Sequence, residues 1–224
     1  MTRILLPLYL HPAVDPAAWE AVATGGAGVT VVVDGPVDDP AMRAALARLA
    51  ATRVNVIGRV DAGFAARPVS SLLEDVAAWA RHPVGGVLLD QAPTSRFSLG
   101  AVALAARVAR RAGLARVVLN PGIPPDPRYR DLRAAICTFH GPWQEYLRWA
   151  GDGARPGDGH LVHSVPATEL APAWALLRRR GAGFGLVTDR TLPDPYAGLP
   201  GWLSGCVPVG GGAGSGGRRM RSGW

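Results

Sequence analysis

Asp90 closes the run Gly86-Val87-Leu88-Leu89-Asp90 and is followed by Gln91-Ala92-Pro93. Three apolar residues in a row without alternation predict a strand buried on both faces, as in a parallel sheet. Asp90 then stands at the carboxyl end, where α/β sheets hold their chemistry. Other polar residues follow apolar runs in the same way: Tyr9 and His11, Asp34, Asp61, Asn120, His140, His163 or Ser164, and Asp189. Taken singly, Asp and Asn after strands are ordinary turn formers. The set carries more weight, because Tyr9, His140 and His163 are not turn formers. Carboxylates, imidazoles and amides on one rim would suit acid–base chemistry or recognition of a small polar ligand, with His140 as a base and Asp90 as its orienting partner among the options. A sugar site also needs aromatic surface, which Tyr9, Phe64, Trp143 and Tyr196 can supply. Trp19, Trp79 and Trp174 lie on helix faces and are expected in the core.

The elements that must position these residues read as β followed by α, eight times. The strands are Arg3–Tyr9, Val29–Val33, Val54–Val60, the run ending at Asp90, Arg116–Leu119, Ala134–Phe139, His160–Val165 and Gly183–Val187. Between them lie helices over Ala17–Ala23, Pro40–Ala51, Val69–Arg81, Ser98–Ala112, Trp143–Trp149 and Leu170–Arg180, with a helical turn over Asp126–Asp131. Asp15-Pro16 reads as a helix start, and Gly113 and Gly181 as helix stops. Leu46 and Leu49 fall on one helix face. This rhythm predicts a small (β/α)8 TIM barrel over residues 1–203. An open doubly wound sheet would carry a Gly-rich phosphate turn after a strand. Here Gly25-Gly26-Ala27-Gly28 precedes a strand instead. Residues 204–224, rich in Gly with Arg218, Arg219 and Arg221, read as a flexible tail.

Composition bounds the function. The 224-residue chain is 48% hydrophobic and 18% charged, which suits a folded domain with a sizeable core. The formal charge is +7, supplied by Arg alone and dispersed, without the basic stripe and interleaved aromatics of a nucleic-acid binder. No Cys/His spacing suits a metal, Cys137 reads as a buried thiol, and Cys206 lies in the tail. The first apolar run is short and broken by Pro7, so no signal peptide is read, and no run spans a membrane. The expectation is a soluble cytoplasmic protein with no cofactor and no metal. Its partner would be a carbohydrate or other small polar ligand, not nucleic acid or membrane.

The ordered motifs Leu6-Pro7-Leu8-Tyr9-Leu10-His11-Pro12, Val33-Asp34-Gly35-Pro36, Ile57-Gly58-Arg59-Val60-Asp61-Ala62-Gly63-Phe64, Gly86–Asp90, Val118-Leu119-Asn120-Pro121-Gly122, Thr138-Phe139-His140-Gly141 and Asp194-Pro195-Tyr196 resemble the spherulation-specific family 4. The resemblance implies a (β/α)8 barrel related to glycoside hydrolases that cut galactosamine-containing microbial exopolysaccharides. It also implies that Asp90 and His140 occupy catalytic positions; the strand-end reading of the rim puts Tyr9, Asp34, Asp61, Gln91, Asn120 and Asp189 around the ligand. Family hydrolases carry Asp-Glu after strand four and Phe-Glu-Gly after strand six. Here these are Asp90-Gln91 and Phe139-His140-Gly141, so both glutamates are replaced. The second motif, usually begun by Asn-Pro, is Asp34-Gly35-Pro36 here, and Arg59 stands where the family has an aromatic residue. Glycoside hydrolysis normally needs two carboxyl groups. The two readings are therefore a hydrolase with an altered acid/base pair and a barrel that binds without cleaving. A carboxylate facing Asp90 across an open cleft, about 5–9 Å away, favours the first. A salt bridge from Arg59 or Arg67 to Asp90 or Asp61 favours the second.

Overall fold

The computed structural model describes residues 2–25, 28–35 and 39–204. The strands are β1 (Arg3–Leu8), β2 (Val29–Val33), β3 (Asn55–Asp61), β4 (Gly86–Asp90), β5 (Arg116–Asn120), β6 (Ala135–Pro142), β7 (Gly159–His163) and β8 (Phe184–Val187). They form one closed parallel barrel in sequence order, shut by pairing of Arg3 and Ile4 in β1 with Phe184 and Gly185 in β8. The expected (β/α)8 barrel is thus the observed fold. The helices are α1 (Pro16–Thr24), α2 (Pro40–Ala50), α3 (Val69–Trp79), α4 (Leu99–Arg111), α5 (Trp143–Arg148), α6 (Leu170–Arg179) and α7 (Gly201–Ser204). Between β5 and β6 the chain makes only a 3-10 segment, Pro127–Leu132, where a helical turn was expected.

Local chemistry sets the helix starts. Asp15 accepts the Ala18 N–H at 2.9 Å with Pro16 at the first helical position, and Asp39 accepts the Met42 N–H at 3.0 Å with Pro40 beside it. The uninterrupted apolar strands are buried on both faces, the inner by the barrel interior and the outer by the helices. Leu46 and Leu49 of α2 are almost fully buried, worth about 1.5–3 kcal/mol each. Trp19 and Trp79 are core residues as expected, and Trp174 is half-buried against Trp202. Cys137 is a buried thiol whose pKa burial pushes up.

Two strand ends differ from expectation by two residues or more. β6 runs on through His140-Gly141-Pro142, because Gly141 and Pro142 pair with Val162 and His163 of β7. β7 stops at His163, and Ser164 turns into the left-handed region at φ 56°. The tail beyond Ser204, with Cys206 and its arginines, lies outside the described residues, as do Gly26 and Pro36. Among the described residues no helix is long and apolar enough to cross a membrane.

A second core cluster fills the space between β6, β7, β8, α5 and α6. Beneath it lies His160, 1% exposed, with its Nδ1 2.8 Å from the Tyr146 hydroxyl and Trp149 edge-on at 4.9 Å. Burial lowers the His160 pKa from 6.5 to about 4. The unfolded chain therefore binds a proton between pH 6.5 and 4 that the folded chain refuses. Stability from this group is complete above pH 6.5 and is lost as pH falls towards 4. The expected loss is about 3 kcal/mol. Urea unfolding across that range checks it: His160→Gln should flatten the slope, and an unchanged slope would refute the assignment.

Candidate ligand site at the barrel mouth

Parallel register brings Asp61, Asp90 and Asn120 level at the ends of β3, β4 and β5. Asp90 is 7% exposed and fully engaged. Its Oδ1 accepts the Asn120 Nδ2 at 2.7 Å and the Gln91 backbone N–H at 3.1 Å. Its Oδ2 accepts Arg59 Nε at 2.7 Å. The same guanidinium donates through Nη1 to Asp34 Oδ2 at 2.8 Å and lies 5.0 Å above the Tyr9 ring. Arg59 thus bridges Asp90 and Asp34 and stacks on the Tyr9 ring. Burial of the guanidinium opposes its charge, and the bonds to Asp90 outweigh that, so its pKa is raised.

Asn120 fixes the protonation of His140. Its Nδ2 also lies 3.0 Å from His140 Nδ1. The amide nitrogen must face Asp90, since the alternative would set oxygen against a carboxylate. Both its hydrogens are then used, and His140 Nδ1 has to accept. The imidazole proton is therefore assigned to Nε2, which donates to the Tyr196 hydroxyl at 2.9 Å. A doubly protonated ring would set N–H against N–H at Asn120. Burial drives the His140 pKa down in the same direction, against the pull of Asp90. Burial likewise raises Tyr9 and Tyr196, so both phenols stay protonated. The cost of this arrangement is one orphan, Asn120 Oδ1, which is buried without a partner.

Tyr9, Arg59, Asp90 and His140 line a cavity of about 620 Å³, together with Gln91, His163 and the segment Leu192–Ala197. That is the size of a small-molecule site. The far wall is tied to the first strand by the Tyr9 N–H, which donates to the Tyr196 carbonyl at 2.9 Å, and by edge-on contact of the two rings at 5.6 Å.

Of the residues expected at the site, Tyr9, Asp90, Gln91 and His140 line the cavity, Asn120 braces it from behind, and Asp34 stands half-exposed at its rim. His163 also lines it, with its Nδ1 3.0 Å from the Ser164 hydroxyl. Two expected ligand residues need correction. Asp61 folds its carboxylate onto the Gly63 N–H at 2.9 Å and serves the turn after β3. Asp189 accepts the Gly201 N–H at 2.9 Å and anchors the start of α7. Both do what short carboxylates after strands commonly do. Trp143 is also no part of the mouth: it is 2% exposed and donates to Glu169 at 2.7 Å. His11 pairs with Asp39 at 3.1 Å, joining the loop after β1 to the cap of α2. The wall Leu192–Ala197 was missed apart from Tyr196. Its signal was the Asp194-Pro195-Tyr196 motif, which has no strand or helix pattern to place it.

A closed (β/α)8 barrel with a polar, partly aromatic pocket at the carboxyl ends of its strands places the chain in the TIM-barrel class. Within that class, the chain matches the model of the spherulation-specific family 4 (Spherulin4) over residues 3–209 and belongs to that family. Among solved structures it is similar to Aspergillus clavatus Sph3, determined in complex with GalNAc. The two share 26% identity over 91% of this chain and 95% of that one, with a TM-score of 0.79. A putative fructose-1,6-bisphosphate aldolase from Coccidioides immitis shares the fold alone, at 11% identity and a TM-score of 0.54 over 83% of this chain and 73% of that one. No match was found among curated protein sequences.

Proposed function

We propose that this chain is a glycoside hydrolase-like barrel that binds a carbohydrate in its mouth without cleaving it. The Arg59 bridge between Asp90 and Asp34 carries this reading. A glycosidase needs one carboxyl group to protonate the leaving oxygen and a second to act as base or nucleophile. Asp90 accepts three hydrogen bonds, one of them from a permanent cation, so its carboxylate is held by its neighbours rather than left to face a sugar carbon alone. Asp34 is held by the same guanidinium. Gln91 carries no charge. His140 is neutral, and both its nitrogens are occupied. Asp90, Asp34 and His140 are thus each tied to a neighbour.

Recognition survives this arrangement. Gln91, His163, Tyr9 and Tyr196 give the cavity polar groups and aromatic surface, the mixture that binds polyhydroxylated ligands. The likeness to a structure that holds GalNAc supports a saccharide as the ligand class.

The test is incubation with galactosamine-containing polysaccharide, beside calorimetry with GalNAc. Release of reducing ends by the native chain is expected to equal that of an Asp90→Asn control, while GalNAc gives a measurable binding heat. Reducing ends that depend on Asp90 would overturn the non-cleaving reading, and the lack of any saccharide binding would overturn the ligand class.

A further inference from the structure

We propose that Phe64 is the stacking platform of a second saccharide subsite just outside the cavity, so that the preferred ligand is an oligosaccharide rather than a single sugar. This rests on the carbohydrate reading of the mouth. Gly63, Phe64 and Ala65 follow β3 with φ of 53°, 50° and 72°, three consecutive residues in the left-handed region. Only the first is glycine. For Phe and Ala this conformation is disfavoured by contact of Cβ with the backbone, and it persists only where surrounding bonds over-determine it.

Those bonds run to the site. The Ala62 N–H donates to the Asp90 carbonyl at 2.8 Å, and the Phe64 N–H to the Gln91 carbonyl at 2.7 Å. Gln91 is itself left-handed, with φ 50°, and lines the cavity. Asp61 holds the Gly63 N–H, and Arg67 reaches back to the Asp61 carbonyl. The turn is thus bolted to the pair of residues at the heart of the mouth.

The product of this strain is an aromatic ring in water. Phe64 is 60% exposed. Phe97, the other exposed phenylalanine, has Arg96 stacked over it at 4.8 Å. Among the described residues nothing comparable covers Phe64. A strained backbone that exposes a phenylalanine is disfavoured twice over, and neither term is repaid by packing within the chain. A pyranose has an apolar face of C–H bonds that lies flat on an aromatic ring and leaves its hydroxyls to solvent. A saccharide seated against Gln91 and extending outwards would meet Phe64 as the next surface.

The test uses the full chain, calorimetry, and two probes: GalNAc and galactosamine-containing oligosaccharides of increasing length. The native chain should bind the oligosaccharides about tenfold or more tightly than GalNAc. Phe64→Asn should lose that increment and leave GalNAc affinity unchanged, and Phe64→Trp should keep it. Because Asn tolerates the left-handed region, Phe64→Asn should also leave Tm unchanged or raise it by about 2–4 °C. Affinity that does not grow with length would overturn the subsite while leaving the pocket reading intact. So would a Phe64→Asn variant that weakens GalNAc and oligosaccharide equally, or one that lowers Tm and spares both. If the native chain bound neither probe, the pocket reading would fail and the subsite with it.

Discussion

Asp90→Ala is expected to lower the unfolding free energy by about 3 kcal/mol, since removing one partner of a buried ion pair leaves the other charge uncompensated. At this chain length that is a fall in Tm of about 6–12 °C. Three donors lose their acceptor at once: Arg59 Nε, Asn120 Nδ2 and the Gln91 N–H. Arg59 keeps Asp34, which sits in a more exposed place and cannot replace the bond lost inside. The sign of the effect bears on function. Catalytic groups are commonly held at a cost to stability, so removing one tends to leave stability unchanged or to raise it. A carboxylate that anchors a neighbour should do the opposite. Thermal and urea unfolding of Asp90→Ala, Arg59→Leu and the double variant would measure the coupling directly. Additive single effects, or a stabilised Asp90→Ala, would show that the bridge is not what Asp90 is for.

The second large effect is expected at a position with no side chain. A Cβ placed on Gly58 would lie 2.1 Å from the Trp79 indole, which is 4% exposed and cannot swing into solvent. That indole also donates from Nε1 to the Arg59 carbonyl at 2.8 Å. Gly58→Ala should therefore cost about 3 kcal/mol through overpacking. It should also release the backbone of the residue that plugs the mouth. The check is paired: a fall in Tm, and a change in GalNAc binding heat larger than that of a surface substitution. Wild-type stability in Gly58→Ala would mean that Trp79 does not lie flat against β3.

The barrel was legible because both of its periodicities are written in residue types. Val29–Val33 and Val87–Leu89 have no polar face, which only a strand buried on both sides tolerates. Asp15-Pro16 marks a helix start by chemistry that acts within four residues. The extent of β6 was not legible, because Gly141 and Pro142 look like a turn until β7 is beside them. The site was half legible. Asp90 sits at a strand end that the pattern identifies, and His140 lies inside β6, two residues before its observed end. Arg59 stands in the sequence where the family has an aromatic residue, and its bridge to Asp90 is the salt bridge that favours binding. Asp61 and Asp189 show the limit. A carboxylate after a strand looks the same in sequence whether it faces a ligand or an N–H two or twelve residues on, and only the loop's path separates the two.

The pocket wall formed by Leu192–Ala197 has a consequence for how the molecule is made. It follows β8, the stave that shuts the barrel against β1. A chain growing on the ribosome carries Tyr9, Arg59 and Asp90 long before it carries Tyr196, and until then His140 lacks the hydroxyl that holds its Nε2. Ligand affinity should therefore arise only once the segment after β8 has emerged and folded. A nascent polypeptide halted after β7 should have most of the polar residues of the mouth and no receptor.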